Sequence, residues 1–332
     1  MLFCPGDAGN TVAMVKIVPI RLNVNGLVAE RKTKVRLITF ETREGSPRTG
    51  VMRSDIEAID LLAAGGQPPF DPRDMISLIS AGERGLAWIR DTAAKVSKTI
   101  ALESITLLSP IPRPRKNVFC VGWNYLEHFK EGEKIRPHVA EMPSHPTFFT
   151  KTPTTVIGPY DAIPYDPRIT EKLDWEAELG VIVGPGGKNI TEADAMKHVF
   201  GYTVINDVSG RDIQRQHGQQ WFKGKSLDGT CPMGPWIVTA DEVPNPDHLT
   251  IRCSLNGTAK QDSNTSYMYF KIPRIIAELS HGMTLEAGDI ISSGTPAGVG
   301  HARTPPEFMK PGDVLETEVQ GIGVLRNRVT AS

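Results

Sequence analysis

The second two thirds of the chain consist of short runs of β-type residues separated by glycine and proline. Helical patterns are few there: residues 191–198 open with a Thr–Glu–Ala–Asp capping pattern, and residues 271–281 carry Pro273 in a first turn. Because strands do not alternate regularly with helices, a doubly wound parallel sheet is not expected. The sequence predicts an α+β fold that is mostly β. The main runs are VFCVG (118–122), ELGVIVG (178–184), YTVIND (202–207), PWIVTA (235–240), LTIRCSLNG (249–257), DIISSG (289–294) and VLETEVQGIGVLRNRV (314–329).

The first hundred residues have a different pattern of predicted strands and helices. Residues 34–41 predict a strand, and residues 73–97 have helical periodicity with Asp71 or Asp74 as the N-cap. The three prolines of residues 109–116 lack a backbone N–H donor and restrict the residues before them, so this stretch is interpreted as an extended connector. We therefore predict a small, variable N-terminal α/β domain over 1–108 and a larger domain over 109–332.

Composition excludes several classes of protein. The net charge of -1 provides no basic field for nucleic acid. No apolar stretch approaches the ~20 residues of a membrane span, and the N-terminus lacks the pattern of a secretory signal. Cys4, Cys120, Cys231 and Cys253 are far apart, so a zinc knuckle is not expected. A cytoplasmic protein with reduced thiols is the expectation.

The strongest chemical signal is a set of acidic residues at strand positions. Glu176 and Glu178 are two apart in a β-type run, so both carboxylates lie on one face. Asp207 ends another such run. Adjacent buried carboxylates repel unless a cation lies between them, and their oxygens suit Mg²⁺, with Mn²⁺ or Ca²⁺ as alternatives. The alternative is an exposed strand face with solvated charges.

Residues 120–131 combine a strand with a short polar segment. His128 and Glu131 are three residues apart, so on a helix they lie on one face and can touch. A carboxylate that orients an imidazole is the usual arrangement of a general base. The alternative is an exposed surface pair that contributes roughly 0.2–0.5 kcal/mol.

Two further segments are rich in glycine. Lys225 lies among Gly, Ser and Pro, as expected of a loop that presents one cation, although a solvated lysine is the alternative. Gly294, Gly298 and Gly300 free the backbone of residues 292–300 so that its N–H groups can approach an anion, unless this is an ordinary turn. No GK[ST] sequence follows, so the loop is not a P-loop.

Together and in this order, these segments resemble the fumarylacetoacetate hydrolase family. The resemblance covers about residues 109–329 and implies a mixed β-sandwich roll, usually a homodimer. The matching stretches are VGWNYLEH, FFTKTPTTVIGP, LDWEAELGVIVG, GYTVINDVSGRDIQ, GKSLDGTCPMGPWIV, MTLEAGDIISSGTPAGVG and MKPGDVLETEVQGIGVLRN.

The resemblance also implies roles for individual residues. Glu176, Glu178 and Asp207 match the metal ligands, usually of Mg²⁺. His128 matches the catalytic histidine and Glu131 its acidic partner. Residues that match groups at or near the substrate are Tyr125, Lys151, Arg211, Gln214, Lys225 and Thr295, of which Lys225 is also assigned a catalytic role.

Residues 129–144 lie where the family has a mobile lid. The segment is rich in charge, and Arg136 is our choice for contact with a distal carboxylate of the substrate. A solvated charged helix is the alternative. If the lid interpretation holds, the segment orders when an anionic substrate binds.

The expected function is metal-dependent hydrolysis of a C–C bond in a small anionic 1,3-dioxo or 2-oxo acid, such as an acylpyruvate. His128 would activate the attacking water, and Lys225, Arg211 and Gln214 would stabilise enolate charge. Decarboxylase, hydratase or isomerase activity on a 2-oxo (di)carboxylic acid of aromatic catabolism is the alternative. A third hypothesis is a catalytically retired scaffold that binds ligands without turnover.

Overall fold

Strands dominate the computed structural model, which describes residues 35–43, 45–133, 141–218 and 220–332. These residues belong to one compact unit, Thr33–Ser332. The helices are α1 Met75–Ser80, α2 Gly82–Lys95, α3 Leu126–Glu131, α4 Arg211–Gln216, α5 Phe222–Lys225 and α6 Ile272–Ser280. The strands are β1 Arg36–Glu41, β2 Pro47–Met52, β3 Glu57–Asp60, β4 Ile100–Ala101, β5 Thr106–Leu107, β6 Val118–Gly122, β7 Thr147–Lys151, β8 Val156–Ile157, β9 Ile163–Tyr165, β10 Leu173–Asp174, β11 Ala177–Val183, β12 Val199–Asn206, β13 Ser209–Gly210, β14 Cys231–Thr239, β15 Thr250–Leu255, β16 Thr258–Asn264, β17 Ile290–Ser292, β18 Val314–Val319 and β19 Gly323–Ala331.

Two large sheets form the body of the described chain. The larger has the order β4-β3-β2-β1-β14-β12-β11-β17-β6-β7, with β5 on β1 and β8 on β14. The second has the order β16-β15-β18-β19-β9, and β10 pairs with β13 separately. Most pairs are antiparallel, and β17–β6, β14–β8 and β19–β9 are parallel. The predicted α+β, mostly β fold is confirmed.

The central strands β11 and β12 are buried along their whole length. Leu179 and Val181 of β11 belong to the same apolar cluster as Leu315 and Leu325 of the second sheet. Ile182, which points the other way, belongs to a cluster with α1 and α2. Both faces of β11 are therefore covered, which explains why its sequence is a continuous apolar run. A carboxylate on this strand is buried whichever way it points.

The strands before residue 109 extend the larger sheet. Leu37 of β1 pairs with Ile237 of β14. The predicted helix over 73–97 is divided into α1 and α2, because Gly82 adopts the left-handed region, with φ of 55°. Asp74 caps α1 as predicted, since its Oδ1 accepts from the N–H of Ile76 at 2.9 Å. The domain division at 108/109 stays a prediction.

Three local predictions have clear outcomes. The β15–β16 hairpin turns at Asn256 and Gly257, whose φ values of 52° and 75° suit a type I′ turn. The predicted helix at 271–281 is α6. The predicted helix at 191–198 is wrong: only a 3₁₀ turn at Ala195–His198 forms, because Thr191 and Asp194 hydrogen-bond to each other in a preceding turn. In the described part of the chain, no helix is both long and apolar enough to cross a membrane.

Candidate active site

Three buried carboxylates meet where β11 begins and β12 ends. Glu176 precedes β11, Glu178 is its second residue, and Asp207 follows β12. The antiparallel register places Asp207 beside Glu176, and the N–H of Asp207 donates to the Glu176 carbonyl at 2.8 Å. One carboxylate oxygen from each residue lies within 4.8 Å of the other two. The predicted meeting of these three side chains is confirmed.

Two buried lysines neutralise part of this acidic group. Lys225, at the end of α5, places Nζ 2.7 Å from Glu176 Oε2 and 2.7 Å from Asp207 Oδ2. Lys151, at the end of β7, places Nζ 2.9 Å from Asp207 Oδ1. Burial opposes ionisation of Glu176, but the charges of Lys225 and Arg211 outweigh it and lower its pKa.

Glu178 has a different environment from its two acidic neighbours. Its Oε2 accepts from Ser292 Oγ at 2.6 Å and from the N–H of Gly294 at 2.7 Å. No basic side chain within the four described ranges forms an ion pair with it. Burial, and then repulsion from Asp207 and Glu176, raise its pKa well above its usual range. Buried hard oxygen donors with uncompensated charge fit a divalent metal, and the triad is a candidate site for one.

His128 and Glu131 form a hydrogen-bonded pair at the same site. Both lie on α3, with His128 Nδ1 2.7 Å from Glu131 Oε1. Their side chains are only 11% and 21% exposed, which argues against the solvated surface pair. The second oxygen of Glu131 accepts from the N–H of Gly298 at 2.8 Å. Because both carboxylate oxygens are engaged, the imidazole is held in one orientation.

The glycine loop binds anions, but those anions are carboxylates of the protein itself. The N–H groups of Gly294 and Gly298 donate to Glu178 and Glu131 as above, and that of Gly300 donates to Asp174 Oδ1 at 2.7 Å. Gly298 has φ of 106°, and a Cβ there would lie 2.2 Å from the carbonyl oxygen of Lys260. Glycine is therefore required for the close approach.

Asp174, Arg211 and His301 form a second buried cluster beside the triad. Arg211 Nε donates to Asp174 Oδ2 at 2.7 Å, and its Nη2 lies 2.6 Å from Glu176 Oε1. Arg211 Nη1 also donates to Gln214 Oε1 at 3.1 Å. His301 Nδ1 lies 3.0 Å from Asp174 Oδ2. Burial, and then the charge of Arg211, lower the pKa of His301 to about 4.

A cavity of about 100 Å³ is lined by some residues from each of these groups. Pockets for drug-sized ligands measure roughly 300–1,000 Å³, so this one suits a small acid. One wall is aromatic: the rings of Trp123 and Trp221 lie 4.7 Å apart, and Phe149 packs on Trp221 at 5.3 Å. The polar residues that line the cavity are His128, Glu176, Glu178, Arg211, Gln214, Arg215, Lys225, Thr295 and His301.

Sequence reasoning missed several of these side chains. The aromatic wall, Arg215 and His301 had no recognisable signal. Asp174 had one, because it continues the alternation of Glu176 and Glu178 by two residues toward the N-terminus. Its function here is to hold Arg211 and His301.

The remaining predicted residues lie at different depths. Thr295 lines the cavity, but its hydroxyl already donates to the Ala177 carbonyl at 2.9 Å and accepts from Gln261 at 2.8 Å. Tyr125 and Lys151 are buried behind the cavity wall. Arg136 lies outside the described residues, as does part of the predicted lid. Substrate contacts by these residues stay predictions.

Comparison with known proteins agrees with this architecture. The chain is 42% identical over 267 residues to the oxaloacetate tautomerase YisK of Bacillus subtilis, covering 78% of this chain and 87% of that protein. A fumarylacetoacetate hydrolase from Exiguobacterium antarcticum has a TM-score of 0.77 at 37% identity, over 90% of this chain and 100% of that one. The maleylpyruvate hydrolase of Sphingobium sp. SYK-6, in complex with manganese(II) and pyruvate, has a TM-score of 0.72 at 29% identity, over 90% and 99%.

The family model that matches this sequence is that of the fumarylacetoacetate (FAA) hydrolase C-terminal domain. It matches residues 117–330, which include the triad, the His128–Glu131 pair and the glycine loop. Both the matched length and the identity to the bacterial tautomerase lead to the same assignment: the chain belongs to the fumarylacetoacetate hydrolase family of enzymes.

Proposed function

We propose that this enzyme is a divalent-metal-dependent tautomerase that interconverts the enol and keto forms of a small 2-oxo dicarboxylic acid, with oxaloacetate as the first candidate. The observation that carries the proposal is that His128, which is paired with Glu131 at 2.7 Å, lines the same small cavity as Glu176 and Glu178 of the acidic triad. Similarity to a bacterial oxaloacetate tautomerase supports the choice of reaction. The isomerase alternative of the sequence analysis is thus preferred to the hydrolase.

The proton transfer is assigned to His128. Its Nδ1 is bonded to Glu131, so Nε2 is the ring nitrogen that can take a proton from, or return it to, the carbon beside the 2-oxo group. Arg211 and Lys225 provide positive charge along the wall for the acid's carboxylate. A cation bound by Glu176, Glu178 and Asp207 would supply Lewis-acid chemistry that makes that carbon more acidic. Mg²⁺ and Mn²⁺ are the candidates.

Cavity size supports a four-carbon acid. About 100 Å³ leaves little room for a long acyl chain, and the rings of Trp123, Trp221 and Phe149 form one apolar wall of the cavity. Tautomerisation needs no attacking water, whereas hydrolysis does. An apolar wall beside His128 therefore suits the transfer of a proton.

The test is the rate at which the enol form of oxaloacetate, followed by its ultraviolet absorbance, converts to the keto form. We expect turnover with Mg²⁺ or Mn²⁺ and loss of turnover in excess chelator. His128→Ala should lower kcat by roughly 10²–10⁴-fold. His145→Ala is the matched control, because His145 also pairs with a glutamate, Glu278, at 3.0 Å but is 69% exposed. Chelator-resistant turnover, or equal rates in both variants, would refute the proposal.

Hydrolysis of a C–C bond is the second candidate. It is supported by the similar fold of the maleylpyruvate hydrolase that was solved with manganese(II) and pyruvate. The same pair, His128 and Glu131, would then activate water. Release of pyruvate from acylpyruvates, faster than enol conversion, would favour this reaction. Failure of both assays would favour the catalytically retired scaffold.

The homodimer stays a prediction, to be checked by analytical ultracentrifugation.

A further inference from the structure

Among the described residues that line the cavity, His301 belongs neither to the triad nor to the predicted catalytic set. Its imidazole is fixed by Asp174, whose carboxylate is fully buried. It lies in the 3₁₀ turn Gly300–Ala302, and its side chain is 15% exposed. Its ring lines the cavity, and Nδ1 lies 3.0 Å from Asp174 Oδ2. Nδ1 is therefore engaged by the protein, whereas Nε2 forms no hydrogen bond with the described residues and is left for a ligand.

The surroundings of Asp174 decide which ring nitrogen carries the proton. Its two oxygens accept from four N–H donors: Trp175 and Gly300 on Oδ1, and Arg211 Nε and the His301 backbone on Oδ2. A carboxylate surrounded in this way acts as an acceptor. The Nδ1 of His301 must then donate to it, and Nε2 carries a lone pair.

The carboxylates of Glu176 and Glu178 are charged acceptors that a bound metal would engage, whereas Nε2 of His301 is a neutral acceptor. Arg211, Arg215 and Lys225 are donors, and they attract carboxylate oxygens. A lone pair on Nε2 repels such an oxygen and attracts a hydroxyl. Between the two forms of a 2-oxo acid, only the enol carries a hydroxyl in place of the carbonyl.

We propose that His301 is a specificity-determining residue whose Nε2 accepts a hydrogen bond from the hydroxyl of the bound enol. The inference rests on the proposed function and deepens it, because it assigns recognition of one tautomer to one side chain. His128 and His301 then have separate tasks: the first moves a proton at carbon, and the second binds the hydroxyl.

Two inert acids test the assignment by binding alone. Tartronate is malonate with a hydroxyl on its central carbon, and neither is a substrate for tautomerisation. Dissociation constants are measured by calorimetry on the Mn²⁺-loaded protein and checked by the fluorescence of Trp123 and Trp221, which line the cavity. The quantity of interest is the preference for tartronate over malonate in each variant, because any hydroxyl contact with the metal is common to all variants.

Two substitutions separate binding from structure. His301→Asn keeps an N–H donor near the Nδ1 position for Asp174 and removes the Nε2 acceptor. His301→Gln does the reverse, because its Oε1 reaches the Nε2 position. We expect the parent to prefer tartronate, the preference to fall roughly tenfold in His301→Asn, and His301→Gln to retain most of it.

Three results would overturn the proposal: no preference for tartronate in the parent, the full preference in His301→Asn, or an equal loss in both variants, as a structural role predicts. His301→Phe, which has no ring nitrogen, replaces His301→Asn if that variant does not fold. The two proposals can fail separately. If the oxaloacetate assay shows no turnover but the preference for tartronate depends on His301, the tautomerase is refuted and the hydroxyl site is retained. The opposite combination would refute the His301 assignment alone.

Discussion

Gly298 donates its backbone N–H to Glu131 Oε2 at 2.8 Å, and the other oxygen of that carboxylate meets His128 Nδ1 at 2.7 Å. The orientation of the imidazole thus depends on a loop 167 residues away in sequence from its carboxylate partner. The same loop holds Glu178 through the N–H of Gly294. One backbone segment therefore positions both the proton-transfer pair and a candidate metal ligand.

Glu131→Gln should lower kcat while leaving the fold intact. The glutamine oxygen can keep the Gly298 bond, but its NH₂ then faces His128 and forces the proton onto Nε2. An imidazole in this tautomer cannot take a proton at Nε2, so we expect a loss of roughly 10²-fold. Steady-state kinetics on the enol of oxaloacetate measure it, with Mn²⁺ affinity and Tm as controls. Unchanged kcat would show that the tautomer of His128 is irrelevant.

Gly298→Ala should cost both stability and activity. A Cβ would lie 2.2 Å from the carbonyl of Lys260, and φ of 106° is strained for alanine. Gly312→Ala is the matched control, since Gly312 has φ of 99° with nothing within 4 Å of a Cβ. We expect roughly 1–3 kcal/mol of destabilisation in the control and more in Gly298→Ala, by urea unfolding. Equal losses would mean that the loop can move away from Lys260.

Glu178→Gln should abolish metal binding and stabilise the metal-free protein at neutral pH. Since the folded-state pKa of Glu178 is raised, its contribution to stability is present at low pH and is lost as pH rises from the usual carboxyl range through the folded-state value. The amide can still accept from Ser292 and Gly294 without the charge.

Thermal unfolding with and without Mn²⁺ checks this prediction. In chelator at pH 7.5, the variant should have a higher Tm than the parent. Mn²⁺ at one hundred times its Kd should stabilise the parent by about 2.7 kcal/mol and the variant hardly at all. If Mn²⁺ does not change the Tm of the parent protein, the assignment of the triad as a metal site is contradicted.

Contacts between residues close together in the sequence could be predicted, whereas contacts between residues far apart in the sequence could not. Glu176 with Glu178, and His128 with Glu131, are set by local periodicity, and both pairs meet as expected. The glycine loop was recognised as able to bind anions, but its partners come from other elements and are invisible to spacing. Asp174–His301 is such a long-range pair, and nothing near His301 in the chain marks it.

The same distinction explains the errors in the fold. Apolar β-type runs located the central strands, because burial on both faces leaves a continuous signal. The predicted helix at 191–198 failed, since the capping pattern of Thr191 and Asp194 equally suits a turn. The helical period over 73–97 was right, but it does not reveal the break at Gly82, whose left-handed φ divides the helix.

Stability should fall at acid pH through His301. Its folded-state pKa of about 4 is below the ordinary 6.5, so between these values the unfolded chain binds more protons than the folded one. The free energy of unfolding therefore decreases as pH falls from 6.5 to 4, by roughly 3 kcal/mol at about 1.4 kcal/mol for each pH unit. Because Asn cannot titrate but can still donate to Asp174, His301→Asn should lose less stability over the same window. Urea unfolding of both proteins at pH 7, 6, 5 and 4.5 measures the difference. Parallel curves for the two proteins would show that His301 binds its proton equally well in the folded and unfolded states.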